Sequence, residues 1–355
     1  MTLGLRMASM GFLMPLLASC STSGAQSDHF NGSSFFNPEG GDHTFSDSVK
    51  WMWEMEAVSW PSWLEDPPHP PPPARVPRGA LRVTYINHAT VLIQINGLNI
   101  VTDPIWSDYA GLTPWLGVRR VRAPGVAFDS LPPIDLVLVS HDHFDHLDLP
   151  TLERLARRDR PRFVVGLGVS AALKSIGIDE RRIVELDWWQ QSAVEGSDLR
   201  LVFVPARHGS GRGPFSQRST LWGGFVIDAP EGAVYFAGDT GLGQFVDELA
   251  ARFDRVRVAL LPIGSYEKRW IMKTQHMNPD DAVQVHRKLR ALQSVGMHFG
   301  TFAEHPEQAI DAHEKDLASA LASQKVEPGR FWVLGFGEGR DVPPLERPSA
   351  PDATR

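Results

Sequence analysis

An apolar run, Ile134-Asp135-Leu136-Val137-Leu138-Val139, leads without a break into Ser140-His141-Asp142-His143-Phe144-Asp145-His146. The first part reads as a buried strand, because it offers no polar face. The second part puts metal-friendly side chains at that strand's C-terminal end. Residues two apart in an extended segment project to the same side, so His141 and His143 can share one ion. Asp145 and His146 need a turn to reach a neighbouring position, and Asp148 with Pro150 supplies a helix start directly afterwards. A polar turn whose histidines and aspartates satisfy one another is the blander account, and the density of ligand types between His141 and His146 weighs against it. Imidazole nitrogen with carboxylate oxygen suits Zn²⁺, and Fe or Mn bind such sites as well.

From Leu81 onward, short β-branched runs alternate with helical patterns. Strands are expected at Leu81–Ile86, Thr90–Ile95, Leu136–Val139, Leu201–Val204, Ala233–Phe236 and Val256–Leu261. Helices are expected at Leu149–Arg158, at Ala282–Leu292 after the start signal Asn278-Pro279-Asp280, and at Ile310–Leu321. Strands with interspersed helices predict an α/β layered sandwich. With 355 residues, 42% hydrophobic and 22% charged, the chain can bury a sizeable core, and one catalytic domain accounts for it once both ends are trimmed. Net charge is −7 with no long Lys/Arg run, so the electrostatic signature of a nucleic-acid partner is missing.

The two ends carry other messages. Arg6 precedes an apolar stretch, Met7 to Leu17, that is too short to span a bilayer and reads as a secretory leader. It closes in Leu17-Ala18-Ser19-Cys20, and Cys20 is the only cysteine, so no internal disulfide is possible. This ending resembles a bacterial lipobox, with residues 1–19 as signal peptide and Cys20 acylated; an ordinary leader with a chance cysteine is the alternative. Ser21 after the cysteine implies, by the same resemblance, the outer membrane, so the expected location is the cell envelope, lipid-anchored and facing the periplasm. Residues 20–77 combine a Ser/Gly-rich tether, Ser21 to Gly24, with an aromatic arm and a polyproline-like spacer, Pro67 to Pro73, that forbids strand or helix. The arm carries Phe30, Phe35, Phe36, Trp51, Trp53, Trp60 and Trp63, which either pack on the domain or dip into a lipid interface. The catalytic domain is expected over residues 78–341, and the tail over residues 342–355 is expected to be disordered.

His141-x-His143-x-Asp145-His146 resembles the signature of the metallo-β-lactamase superfamily, whose fold is an α/β sandwich of αββα type. His208 in Pro205-Ala206-Arg207-His208, Asp239 in Ala237-Gly238-Asp239-Thr240 and His298 in Met297-His298-Phe299-Gly300-Thr301 follow in the order of that family's remaining ligand stations, each where a strand ends. The resemblance implies two divalent ions per chain, Zn²⁺ foremost, with Fe or Mn also compatible. His141, His143 and His208 hold one, Asp145, His146 and His298 hold the second, and Asp239 bridges them. It further implies Asp145 and Asp239 in catalysis, metal hydroxide as nucleophile, and Asp103 and His88 as supports behind the ligands. A core histidine is the alternative for His88.

Longer stretches narrow the likeness. Thr84–Thr90, Leu221–Gly224, Pro262–Trp270, Gln275-His276 and His298–Phe302 are similar to the N-acyl-phosphatidylethanolamine-hydrolysing phospholipase D family, related in turn to L-ascorbate-6-phosphate lactonases, over roughly Phe35 to Phe336. That similarity implies attack on phosphorus, with phosphatidate formed and an N-acylethanolamine leaving. Gln275 and His276 then orient substrate, His276 with a catalytic part, or else simply pack at the approach to a helix, while Arg269 pairs with a phosphate or forms a structural salt bridge. A lactone, cyclic phosphate or other ester is the alternative bond, and a non-enzymatic envelope binding protein is the third reading. The expected partners are a phospholipid or other small molecule and, through the anchor, a membrane.

Overall fold

Strands without a polar face have to be covered on both sides, and this chain meets the need with two facing sheets and helices outside them. The structure, a computed structural model, describes residues 27–41, 44–213, 215–303 and 307–345. The leader, Cys20 and the Ser/Gly tether lie outside the described residues. In chain order the first half comprises α1 (Phe45–Glu54), β1 (Leu81–Asn87), β2 (Thr90–Ile95), β3 (Leu98–Thr102), β4 (Tyr109–Ala110), β5 (Val118–Arg119), β6 (Leu136–Val139), α2 (Leu149–Arg158), β7 (Arg162–Gly166), α3 (Ser170–Ser175) and β8 (Ile183–Leu186). The second comprises β9 (Gln191–Ala193), β10 (Arg200–Val204), β11 (Gly224–Asp228), β12 (Ala233–Phe236), α4 (Phe245–Arg252), β13 (Val256–Pro262), α5 (Arg269–Met272), α6 (Pro279–Lys288), β14 (Gln293–Met297), α7 (Ala312–Ser323), β15 (Phe331–Trp332) and β16 (Gly339–Asp341).

The strand orders are β16-β1-β2-β3-β6-β7-β8 and β15-β14-β13-β12-β11-β10-β9. Both sheets follow one plan. Antiparallel neighbours (β1-β2-β3; β10-β11-β12) give way to parallel ones (β3-β6-β7-β8; β12-β13-β14-β15). The expected αββα sandwich is the architecture observed. Strand pleat sorts the side chains between two cores: Leu136 and Leu138 of β6 point into the layer between the sheets, while Val137 and Val139 point into the layer under α2 and α3. Each such side chain, fully buried, contributes about 1.5–3 kcal/mol.

Three expectations change in detail. The helix expected at Ala282–Leu292 is α6, which starts earlier, where Asn278 and Asp281 form a reciprocal capping box, and stops at Lys288. Arg290 then takes a left-handed φ of 48°, which turns the chain into β14. The tail does not begin at Val342: that side chain is buried, its N–H bonds the Leu81 carbonyl, and Arg257 donates to the carbonyls of Val342 and Pro343. The packed body also starts well ahead of residue 78. Phe35 is buried in the central core, His29 stacks on Trp188 with ring centroids 3.9 Å apart, and His29 Nε2 lies 2.9 Å from Asp187. The spacer carries neither helix nor strand, as its prolines require.

Candidate metal centre

Ligands of α/β sheets gather where strands end, because the loops there are free to carry polar side chains. The segment after β6 holds His141 to His146, the one after β3 holds Asp103, and the β1–β2 turn holds His88. From the facing sheet come His208 after β10, Asp239 after β12 and His298 after β14. The two sets meet because Gly238, just before Asp239, has a left-handed φ of 59° and lies so close to the β6 segment that a β-carbon would sit 2.6 Å from that of Ser140.

The ring nitrogens of three histidines converge at one point. His141 Nε2 lies 2.9 Å from His143 Nδ1, and His208 Nε2 lies 3.3 Å from it. Beside them, Asp239 Oδ2 is 3.2 Å from His146 Nε2, 3.0 Å from His298 Nε2 and 3.8 Å from His208 Nε2, so this carboxylate stands between the two groups. Asp145 Oδ2 is 2.9 Å from His146 Nε2 and 3.6 Å from His298 Nε2, and it accepts a hydrogen bond from His88 Nε2 at 2.8 Å.

The far side of the rings is anchored. His146 Nδ1 donates to Asp103 at 2.6 Å, and His141 Nδ1 donates to Ser140 Oγ at 2.9 Å, which in turn donates to the same Asp103 oxygen at 2.6 Å. His208 Nδ1 donates to the Gln275 carbonyl at 3.1 Å. Each of these bonds fixes a tautomer whose Nε2 lone pair faces inward. Asp103 therefore stands behind two histidines rather than one. Ser140 went unassigned in the sequence reading, although it directly precedes His141, because its role depends on a partner far away in the chain.

This donor set fits metal ions. The imidazole nitrogens of His141 and His208 both lie within 3.3 Å of His143 Nδ1, so their lone pairs repel unless a cation lies among them, and His146 Nε2, His298 Nε2 and Asp239 Oδ1 are buried without a hydrogen bond of good geometry. Burial pulls His88 and His208 down to about 3 and holds His141 and His143 below the ordinary histidine range, which leaves them neutral, the form that ligates. Burial opposes charge on His146 and His298 too, but Asp145 and Asp239 outweigh it and lift His298 to about 10. Burial likewise opposes ionisation of those two carboxylates, and the surrounding histidines outweigh it, His146 chief among them, holding both well below the usual range.

A cavity of about 420 Å³ opens over His143, Asp145, His208 and Asp239, walled by Trp51, Arg218, Ile271, Met272, Gln275 and His276. His276 Nδ1 is 3.9 Å from Asp239 Oδ2. Gln275 lines the cavity and also gives its carbonyl to His208. Arg269 is not there: it bonds Asp281 at 2.6 Å and the His276 carbonyl at 2.8 Å, which settles its two readings in favour of the structural one. The arm reaches this centre as well, since Asn37 Nδ2 donates to the His208 carbonyl at 2.8 Å.

A family model described as the Beta-lactamase superfamily domain matches residues 98–299, a stretch that holds all seven converging residues. The chain belongs to the metallo-β-lactamase superfamily. Among the proteins it is similar to, an uncharacterized protein of Mycobacterium tuberculosis is 40% identical over 261 residues, covering 70% of this chain and 69% of the relative. The N-acyl-phosphatidylethanolamine-hydrolyzing phospholipase D 1 of Caenorhabditis elegans is 37% identical over 269 residues, covering 73% of this chain and 75% of that enzyme. In fold, it is similar to a metallo hydrolase from the archaeon Ignicoccus hospitalis, with a TM-score of 0.57 and 22% identity over 74% of this chain and 99% of the other. This superfamily member is a metal-dependent hydrolase of the metallo-β-lactamase fold, with a His/Asp cluster suited to metal ions.

Proposed function

We propose that the protein is a phospholipase D-type phosphodiesterase that hydrolyses N-acyl-phosphatidylethanolamine to phosphatidate and an N-acylethanolamine. The observation that carries this reading is the 37% identity to the Caenorhabditis elegans enzyme across three quarters of that protein. In it, His141, His143 and His208 hold one ion, Asp145, His146 and His298 hold a second, and Asp239 bridges them. A divalent pair bound there would supply Lewis acidity for the hydrolysis. The chain's own residues do the rest. Asp103, directly and through Ser140, keeps His146 and His141 in their ligating tautomers, and His88 steadies Asp145. His276 and Gln275 orient the headgroup from the cavity wall, and His276 carries the proton to the departing alkoxide.

A cavity of about 420 Å³ accommodates a phosphodiester headgroup but not three acyl chains as well. The chains then stay in the bilayer, and the surroundings suit that. Exposed Trp53 follows cavity-lining Trp51 on α1, exposed Phe215 precedes Arg218 on the loop that walls the cavity, and exposed Leu112 sits with Phe144 and Arg212 in the adjoining depression, close in sequence to exposed Trp115 and Leu116. Among the described residues no helix is long and apolar enough to cross a membrane. The lipobox at Cys20, outside the described residues, supports attachment to the outer membrane facing the periplasm.

The test is a substrate panel on metal-quantified full-length protein: N-acyl-phosphatidylethanolamine, other lipid phosphodiesters, cyclic phosphates and lactones, with phosphatidate followed by mass spectrometry. Phosphatidate release from the N-acylated lipid is expected. Turnover confined to lactones or cyclic phosphates would overturn the assignment, and metal content far below two per chain without turnover would return it to a binding protein.

A further inference from the structure

A histidine that ligates through Nε2 normally gives its Nδ1–H to a carboxylate, carbonyl or water, which fixes the ring and raises its basicity. His141, His146 and His208 each do so, through Ser140, Asp103 and the Gln275 carbonyl. His298 differs: its ring is buried and its Nδ1 has no hydrogen-bond partner in the protein. A buried N–H left so keeps its whole desolvation penalty.

His298 lines a small, largely enclosed cavity of about 10 Å³, with room for about one water molecule. Across it lies His313 on α7, 3% exposed, whose ring nitrogens make no protein hydrogen bond of good geometry, the nearest partner being the Ile310 carbonyl, which can take one N–H and leave the other nitrogen as an acceptor. Its ring is fixed by stacking on Phe299 with centroids 4.2 Å apart and planes within 22°, and Phe299 in turn stacks on Tyr85. Two buried imidazoles, each with a nitrogen lacking a well-formed hydrogen bond to the protein, thus line one water-sized space. A neutral imidazole offers one acceptor nitrogen and one donor, which is what a bridging water needs on that side. Burial keeps His313 neutral, drawn down to about 4.

We propose that His313 is a positioning residue for the metal centre: it holds one ordered water that accepts the Nδ1–H of His298 and so sets that ligand's tautomer and orientation. The proposal rests on the reading of His298 as a ligand and is independent of the substrate. No proton need move along the path; its function is orientation.

Cobalt-loaded full-length protein tests it. His313→Leu, which fills the space and removes the acceptor, should weaken one of the two ions by about 10–100-fold in chelator competition and shift the cobalt d–d bands. His313→Gln, which restores an acceptor, should recover much of both. Unchanged competition and spectrum in His313→Leu would overturn the proposal. Should that variant fail to fold, long-range ¹H–¹⁵N spectra of the zinc-loaded wild type decide: His298 is expected protonated at Nδ1 with slow solvent exchange, and a bare Nδ1 refutes it. His298→Ala separates the two layers of argument, since retention of both ions in that variant overturns the ligand reading itself.

Discussion

Gly264 lies directly against the backbone of His298: a β-carbon at Gly264 would sit 1.9 Å from the His298 carbonyl oxygen. No side chain can shift to relieve this contact, because both partners are main chain. The exit of β13 and the exit of β14 are therefore held at one separation, and that separation sets where the His298 imidazole stands. Gly264→Ala is expected to cost about 3 kcal/mol or more if the protein folds, and to reduce bound metal in the folded fraction. Urea unfolding with metal analysis of the same samples checks both; a stable variant with full metal content would show that the loop yields.

Among the described residues, Asp239 is the one carboxylate within 4 Å of histidines from both proposed ion positions. Asp239→Asn keeps the shape and loses the charge, so metal and turnover should fall together. Elemental analysis alongside initial rates tests this, and two retained ions with full turnover would contradict the bridging role.

Asp103 should behave differently, since it touches no ion in this reading. Asp103→Asn is expected to lower metal affinity by about 10–100-fold while excess metal restores most of the rate. Ser140→Ala, which breaks only the branch to His141, should have a smaller effect of the same kind. Chelator competition ranks the two, and equal effects would argue that Asp103 acts on His141 alone.

The arm offers a dependence on pH. Burial works against charge on His29, but bonds to Asp187 and Asp28 outweigh it and raise its pKa above 6.5. Burial also works against Asp187, and His29 outweighs it, so that carboxyl is lowered below 3.8. A raised histidine stabilises fully below 6.5 and loses its contribution as pH climbs through the folded value; a lowered carboxylate stabilises above 3.8 and loses its contribution as pH falls through the folded value. Arm docking should therefore be firmest between about pH 4 and 6.5. Hydrogen exchange of residues 27–41 across pH 4 to 9, corrected for intrinsic rates, measures it. His29→Ala should flatten the profile, and a flat profile in the wild type would rule the pair out.

Exposed Trp115 and Leu116 belong to the apolar surround of the cavity in the lipid reading. Replacing both by Ser, in a Cys20→Ser background, is expected to reduce partition onto phosphatidylethanolamine vesicles several-fold. Turnover of a soluble short-chain phosphodiester should be unaffected. Sedimentation with vesicles gives the first number, and equal partition would remove these residues from the membrane face.

Much of this site was legible because its signals are local. The run Leu136–Val139 and the histidines after it are read within a dozen residues, and α2 occupies Leu149–Arg158 as expected. Positions set by distant contacts were not. Ser140 acquires its role from Asp103, 37 positions away, and Asn37 from His208, 171 positions away. Helix α1 was hidden in a crowd of tryptophans, although Thr44 and Asp47 form a capping box that a search for the motif would have found. Leu289, Ala291 and Leu292 extend a helical pattern past the true end of α6, since nothing in the residue types there announces the left-handed turn at Arg290.

Neither sheet owns a complete cage. His141, His143, Asp145 and His146 hang from one, and His208, Asp239 and His298 from the other. An ion seated among them is a cross-link that the folding chain acquires only after its halves have met, and by mass action it favours the assembled form over any in which they have parted. Scarcity of metal would then be felt first as a shorter molecular lifetime, with idle turnover its lesser symptom.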